Sequence, residues 1–276
     1  IPKNLFKALQ PYYHGAAAKF AATYFGNPSS NLSVIGITGT AGKSTTVMML
    51  SHILNYSGLK TGYITTVGYS NGNTQTVNKH GLSMPSGPII QRTLKEFVDN
   101  DCKFAIVEAT SEGLAQNRHY GINFLAGLFT NLSPAHIDSH GSFENYRNAK
   151  GKLFAAINRN GIIGANTDDP NYQYFLNFPV AKKFGTSTRE DRIAQTEVPV
   201  LRAENISVNP NGLSFEVEKI KFNLNLKGSF NISNALLAIG LAQFLNISLE
   251  NSAKALSSFG TVPGRMETIP NDLGIT

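Results

Sequence analysis

At 276 residues, 41% hydrophobic and 15% charged, the chain can bury a sizeable core and has the make-up of a globular protein of one large or two modest domains. A net charge of +6 suits anionic ligands, but the basic residues are scattered, so neither nucleic acid nor a membrane surface is called for and a monomer is expected. The single cysteine, Cys102, excludes an internal disulfide and a cysteine zinc cluster and fits a cytoplasmic setting, and no apolar run is long enough to span a bilayer.

Residues Leu5 to Tyr24 are loosely helical, with Pro11 as an expected interruption, and Gly26-Asn27-Pro28-Ser29-Ser30 ends the pattern. Leu32 to Thr38 is short, β-branched and bounded by breakers, as a buried parallel strand should be. It runs into IGITGTAGKSTT, Ile35 to Thr46. There Gly39 and Gly42 let the backbone wrap a phosphate, and Lys43 and Ser44 supply a positive charge and a magnesium ligand. The commonest P-loop spacing would put a glycine at Ile37, so on spacing alone a ligand-free glycine turn stays open.

Helical spacing of Val47, Leu50, Ile53 and Leu54 follows, with Gly58 as its stop, and then a strand over Tyr63 to Val67. Ser86, Gly87 and Pro88 open a helix. Strands are expected at Lys103 to Ala109, Leu125 to Asn131, Gly161 to Asn166 and Val180 to Gly185. Strands separated by helices give an α/β fold, a P-loop-type, mostly parallel sheet flanked by helices. Ligands gather at the carboxyl ends of such strands, which directs attention to Thr38–Ser44, Glu108–Ser111 and Thr130–His140. From Glu197 to about residue 228 the residues alternate, with a turn at Asn209-Pro210-Asn211-Gly212, and a small antiparallel sheet is expected. Helices return at Asn231 to Phe244 and Leu249 to Phe259.

Glu108 ends the apolar run KFAIVEA, at the sheet edge where a phosphate-bound cation would sit; the alternative is a solvated strand-end carboxylate. His136, Asp138 and His140 cluster in a loop, for which zinc is the rival to magnesium. Lys150 shares a helix face with Phe143, Tyr146, Leu153, Phe154 and Ile157, whereas Arg147 and Lys152 fall elsewhere. A lysine turned inward loses proton affinity and becomes a nucleophile for carbon dioxide; otherwise its charge snorkels to solvent.

The motifs YFGNPSS, ITGTAGKSTT, SMP, EATSEGLAQNR, FTNLSPAHIDSHGSFENYRNAKGKLF, GSFNISNALLAIG and VPGRMET resemble, in order, the central ATP-binding domain of the Mur ligase family, most closely its UDP-N-acetylmuramoyl-tripeptide synthetases. That family uses the GTxGK form of the phosphate loop. The resemblance implies an ATP-dependent ligase of peptidoglycan precursor synthesis. It would add an amino acid to a UDP-N-acetylmuramoyl-peptide through an acyl phosphate, with ATP and two magnesium ions. It implies ATP contacts from Gly39, Thr40, Ala41, Gly42, Lys43, Ser44 and Thr45, from Asn231 and Asn234 on the adenine side, and from Arg265 near the ribose and phosphates. Metal ligands would be Ser44, Glu108, His136 and Lys150, the last carbamylated by carbon dioxide. Lys43, Lys150 and His136 would be catalytic, and Ser83, Thr110, Gln116 and Arg118 would hold the muramoyl-peptide.

The family's usual aspartate before the metal-ligand histidine is Ala135 here, and Glu112 follows Ser111 where Ser-His is usual. On this reading residues 1–30 are a lead-in in place of a uridine-binding domain, 31–268 are the central domain, and 269–276 open a carboxyl-terminal domain. A start at Ile1 rather than Met leads us to expect a fragment. Two other readings stay open: a nucleotide-binding module without ligase activity, and a ligase of the same superfamily with another carboxylate acceptor, of the folylpolyglutamate type.

Overall fold

The computed structural model describes residues 3–77, 84–134, 137–210, 212–260 and 262. Helix α1 (Lys3–Tyr24) leads into β1 (Ser33–Thr38), α2 (Lys43–Tyr56), β2 (Thr61–Ile64) and a hairpin of β3 (Gly68–Ser70) and β4 (Gln75–Val77). Then come α3 (Gly87–Asp99), β5 (Phe104–Glu108), α4 (Ser111–Ala115), β6 (Phe124–Phe129), α5 (Ile137–His140) and α6 (Phe143–Ala155). Strand β7 (Ile157–Asn166), α7 (Tyr172–Leu176), β8 (Lys182–Ser187) and β9 (Val200–Arg202) follow. Strands β10 (Glu204–Asn209), β11 (Gly212–Val217) and β12 (Ile220–Leu224) precede α8 (Phe230–Phe244) and α9 (Leu249–Ser257).

The large sheet has the order β4-β3-β2-β5-β1-β6-β7-β8-β9, with β2 and β5 to β9 parallel to β1 or to its neighbours and the β3-β4 hairpin antiparallel at one edge. The expected α/β sheet with a small antiparallel companion is thus present. Strand side chains alternate between two cores. Ile35, Ile37 and Ile106 face α2, α8, α9 and the sheet β10-β11-β12, whereas Val34, Ala105 and Val107 face α3, α6 and α7. The phosphate loop sits at the central strand β1, so both cores brace it.

Four elements differ from expectation: Ile157, expected on the helix face of Lys150, instead opens β7, which starts four residues before Gly161, and three others follow. Pro11 does not interrupt α1, because packing of α1 on α3 outweighs the one backbone bond that a proline removes. The alternation after Glu197 is not all antiparallel: β9 joins the large sheet parallel to β8, and the small sheet runs from Glu204. The strand after α2 ends at Ile64, and the β3-β4 hairpin extends the sheet beyond it. Among the described residues, no helix is long and apolar enough to cross a membrane.

Candidate functional site

Strand β1 ends at Thr38, and the chain turns through Gly39 (φ 153°) and Gly42 (φ 81°) into α2. A Cβ at Gly39 would stand 1.9 Å from Thr130 Oγ1, and one at Gly42 would stand 2.2 Å from Asn234 Oδ1, so neither position admits a side chain. Gly36 has another duty: a Cβ there would meet Leu153 Cδ1 at 2.3 Å, so this glycine lets α6 lie close on β1.

The loop's crest is held from the next strand. Thr40 N donates to Asn131 O (2.8 Å), Ala41 N to Asn131 Oδ1 (2.9 Å), and Thr130 Oγ1 to Ala41 O (2.7 Å). The first i to i−4 bond of α2 is Thr46 N to Gly42 O (2.9 Å). The N–H groups of Lys43, Ser44 and Thr45 therefore stand at the positive end of the helix, outside its own ladder, as an anion site requires.

Two cavities share this loop. The larger, about 460 Å³, is lined by Thr40 to Thr45 with Leu226, Phe230, Asn231 and Val262. Asn231 Nδ2 donates to Lys227 O (2.8 Å), and Asn234 Nδ2 to Asn231 Oδ1 (3.0 Å). Asn231 thus faces the cavity while Asn234 braces Gly42 from behind. The smaller cavity, about 250 Å³, is lined by Gly39, Thr40, Lys43, Thr66, Glu108, Thr110, Ser111, Glu112, Tyr146 and Lys150.

Glu108 is only 2% exposed, which rules out the solvated strand-end reading. Its carboxylate accepts from Ser44 Oγ (2.7 Å), Thr66 N (3.0 Å) and Thr66 Oγ1 (2.9 Å), with Lys43 Nζ at 4.0 Å. Lys150 does not snorkel: it is 1% exposed, donates to Gly39 O (2.8 Å), and lies 4.5 Å from the centre of the Tyr146 ring. Burial first, and the Lys43 ammonium second, push its amine well below the ordinary lysine range, with Glu108 opposing. Tyr146 in turn meets Thr40 Oγ1 at 3.0 Å, tying α6 to the loop.

Of the residues expected to hold a substrate, Thr110 lines the smaller cavity and caps α4 by accepting from Gly113 N (3.2 Å). Gln116 and Arg118 instead bond each other, Arg118 Nε and Nη2 to Gln116 Oε1 at 3.0 and 2.7 Å, and Arg118 Nη1 reaches Met84 O (2.6 Å). Ser83, Ala135, His136, Arg265 and 269–276 lie outside the described residues. His140 Nε2 pairs with Ser111 Oγ (3.0 Å), and among the described residues no group of three His, Cys, Asp or Glu is placed to hold a metal. Ser44 Oγ and the Glu108 carboxylate are hard oxygen donors side by side, a set that fits magnesium rather than zinc.

Sequence reasoning missed Thr66, Asn131, Phe230 and the role of Tyr146. Only two of them carried a signal: Asn131 falls in the strand-end segment Thr130 to His140, and Tyr146 lies one turn before Lys150.

A protein-family model, the Mur ligase middle domain, matches residues 37–242. The chain is 34% identical to a UDP-N-acetylmuramoyl-L-alanyl-D-glutamate--2,6-diaminopimelate ligase of Geobacillus thermodenitrificans, over 99% of this chain and 56% of that protein. It is also 34% identical to a UDP-N-acetylmuramyl-tripeptide synthetase of Roseiflexus, over 92% of this chain and 52% of that protein. It therefore spans about half the length of the curated relatives it matches. Its fold superposes with a TM-score of 0.73 on a solved UDP-N-acetylmuramoyl-L-alanyl-D-glutamate--2,6-diaminopimelate ligase, at 23% identity, over 87% of this chain and 49% of that one. With the family model matching the segment that holds the phosphate loop, Glu108, Lys150 and both asparagines of α8, this chain belongs to the Mur ligase family and carries its middle domain.

Proposed function

We propose that this chain is the catalytic core of an ATP-dependent amide ligase of peptidoglycan precursor synthesis, acting in the cytoplasm on a UDP-N-acetylmuramoyl-peptide and an amino acid. The observation that carries the reading is the phosphate loop shared by two cavities, with the paired Ser44 and Glu108 and the buried Lys150 on one side. A carboxylate oxygen of the muramoyl-peptide forms a bond to the γ-phosphorus of ATP as the bond to ADP breaks. The amino nitrogen of the incoming residue, once deprotonated, then bonds to the acyl carbon as phosphate leaves.

Each residue has work in that scheme. Lys43 and the first turn of α2 offset charge on the phosphates, and the loop holds the γ-phosphoryl in line with the carboxylate. Asn231 would serve the adenine side and Arg265 the ribose and phosphates, with Asn234 supporting from behind Gly42. Ser44, Glu108 and His136 would hold magnesium, which when bound neutralises the crowded oxyanions of both substrates. The Lys150 amine, its proton affinity lowered by burial, would in its neutral form add carbon dioxide with loss of one proton, and the resulting carbamate would supply a further hard oxygen donor. Thr110, with Ser83, Gln116 and Arg118, would orient the muramoyl-peptide.

Acyl-phosphate formation needs no amine, so it is testable directly by scrambling of oxygen label between bridging and non-bridging positions of ATP. Scrambling that depends on UDP-N-acetylmuramoyl-dipeptide is the expected result. Scrambling with a folate in its place would move the chain to the folylpolyglutamate branch, and ATP binding without scrambling for either would make it a nucleotide-binding module.

A further inference from the structure

We infer that Asp169, in the turn after β7, is a positioning residue for the phosphate loop, acting through the Thr130–Leu132 segment at the end of β6. The inference rests on the nucleotide reading of that loop. Asp169 is buried, and its Oδ2 accepts from Leu132 N at 2.6 Å. Its Oδ1 is held by Asn171 N (2.8 Å) and Nδ2 (3.1 Å), which fixes the carboxylate's orientation. One turn earlier Asn166 Nδ2 donates to Thr130 O (3.0 Å). Two side chains from the end of β7 therefore clamp the backbone on either side of Asn131.

Asn131 is the residue that holds the loop. Its backbone oxygen takes the Thr40 N–H and its side-chain oxygen takes the Ala41 N–H, while its Nδ2 donates to Ala41 O at 3.1 Å. Two loop N–H groups are thus consumed structurally, leaving those of the first turn of α2 for an anion. The strand order β1-β6-β7 makes this a relay across one strand: β7 fixes the end of β6, and the end of β6 fixes the loop after β1. Parallel neighbours present their carboxyl ends side by side, so side chains there can bridge what the backbone ladder no longer pairs. Without Asp169, Leu132 N would be buried with no acceptor, and the segment would shift to reach one.

The test compares the chain with Asp169→Ala and Asp169→Asn. Amide exchange at Thr40 and Ala41, followed by NMR without nucleotide, should quicken roughly tenfold in Asp169→Ala while Ile37 in β1 is unchanged. The Mg·ATP dissociation constant, by calorimetry, should rise roughly tenfold, with Asp169→Asn intermediate because one oxygen still accepts from Leu132 N. Adding Asp169→Ala to Asn131→Ala should weaken binding by less than Asp169→Ala does alone. Unchanged exchange at Thr40 and Ala41 with unchanged affinity, or fully additive losses in the double variant, would overturn the assignment. A purely structural carboxylate would lower the unfolding temperature and move neither readout of the folded protein. Should Asp169→Ala fail to fold, Asp169→Asn decides on the same two readouts. A wild-type chain that does not bind Mg·ATP would remove the nucleotide reading, and the exchange experiment would still decide the relay.

Discussion

The two cavities that meet at the phosphate loop are built from different chemistry. The larger is walled by Leu226, Phe230 and Val262, with Asn231 as its polar contact away from the loop, as a site for a flat, partly apolar base should be. The smaller holds two lysines and two glutamates in about 250 Å³ and has Tyr146 as a wall. Apolar walls suit binding, whereas the buried Glu108 and Lys150 suit the proposed reaction, because buried polar groups act most strongly where they need not reorganise. Lys43 and Thr40 line both, so in the proposed reaction the loop would link binding on one side to chemistry on the other.

That contrast can be broken one side at a time. Lys150→Arg removes the amine proposed to take up carbon dioxide, and Glu108→Gln keeps the shape and removes the charge. Each is expected to lower turnover by roughly a hundred- to a thousandfold while Mg·ATP affinity in Lys150→Arg stays within about twofold. Equal losses of affinity and turnover in Lys150→Arg would merge the two sides into one. Rescue of wild-type turnover by added bicarbonate, with none in Lys150→Arg, would tie the loss to carbamate chemistry.

A second effect concerns stability. The folded-state proton affinity of Lys150 is depressed, so between its lowered value and the ordinary lysine value of 10.5 the unfolded chain binds more protons than the folded one. Stability contributed at this residue therefore rises with pH through that window. In bicarbonate-free buffer Lys150→Met should unfold at higher denaturant than wild type near neutral pH, and the gap should close as pH approaches 10.5. A gap that does not change with pH would mean that the buried amine keeps its proton.

The smallest effect belongs to the apolar side. Phe230 is 56% exposed along the larger cavity, and Phe230→Ala should weaken Mg·ATP binding by about 1 kcal/mol, roughly fivefold, with turnover at saturating ATP unchanged. A loss of turnover at saturation would place the ring in the reaction rather than in binding.

The features legible in the sequence are those written locally. The loop after β1, the carboxylate at the end of β5 and the inward face of α6 all follow from runs and periods of a few residues. Lys150 could be placed on a buried face because Tyr146, Leu153 and Phe154 share it. Whether its charge reached solvent could not be read, since that depends on Gly36 letting α6 approach β1 so closely. The partners missed are long-range. Thr66 lies 42 residues from Glu108, Asn131 lies 90 from Ala41, and Tyr146 lies 106 from Thr40. Hydrogen bonds over such separations leave no period in the chain. The hairpin of β3 and β4 and the parallel pairing of β9 were hidden for a related reason: each strand has three residues, too few to declare an alternation.

In the proposed reaction one loop serves a nucleotide on one side and a reacting carboxylate on the other, with Lys43 between them. Calorimetric titration of Mg·ATP into wild type, Lys150→Arg and Lys43→Ala tests it most directly. Wild type and Lys150→Arg should bind alike, and Lys43→Ala should lose affinity by roughly a hundredfold. Unchanged Mg·ATP affinity in Lys43→Ala would mean that this loop does not hold the phosphates.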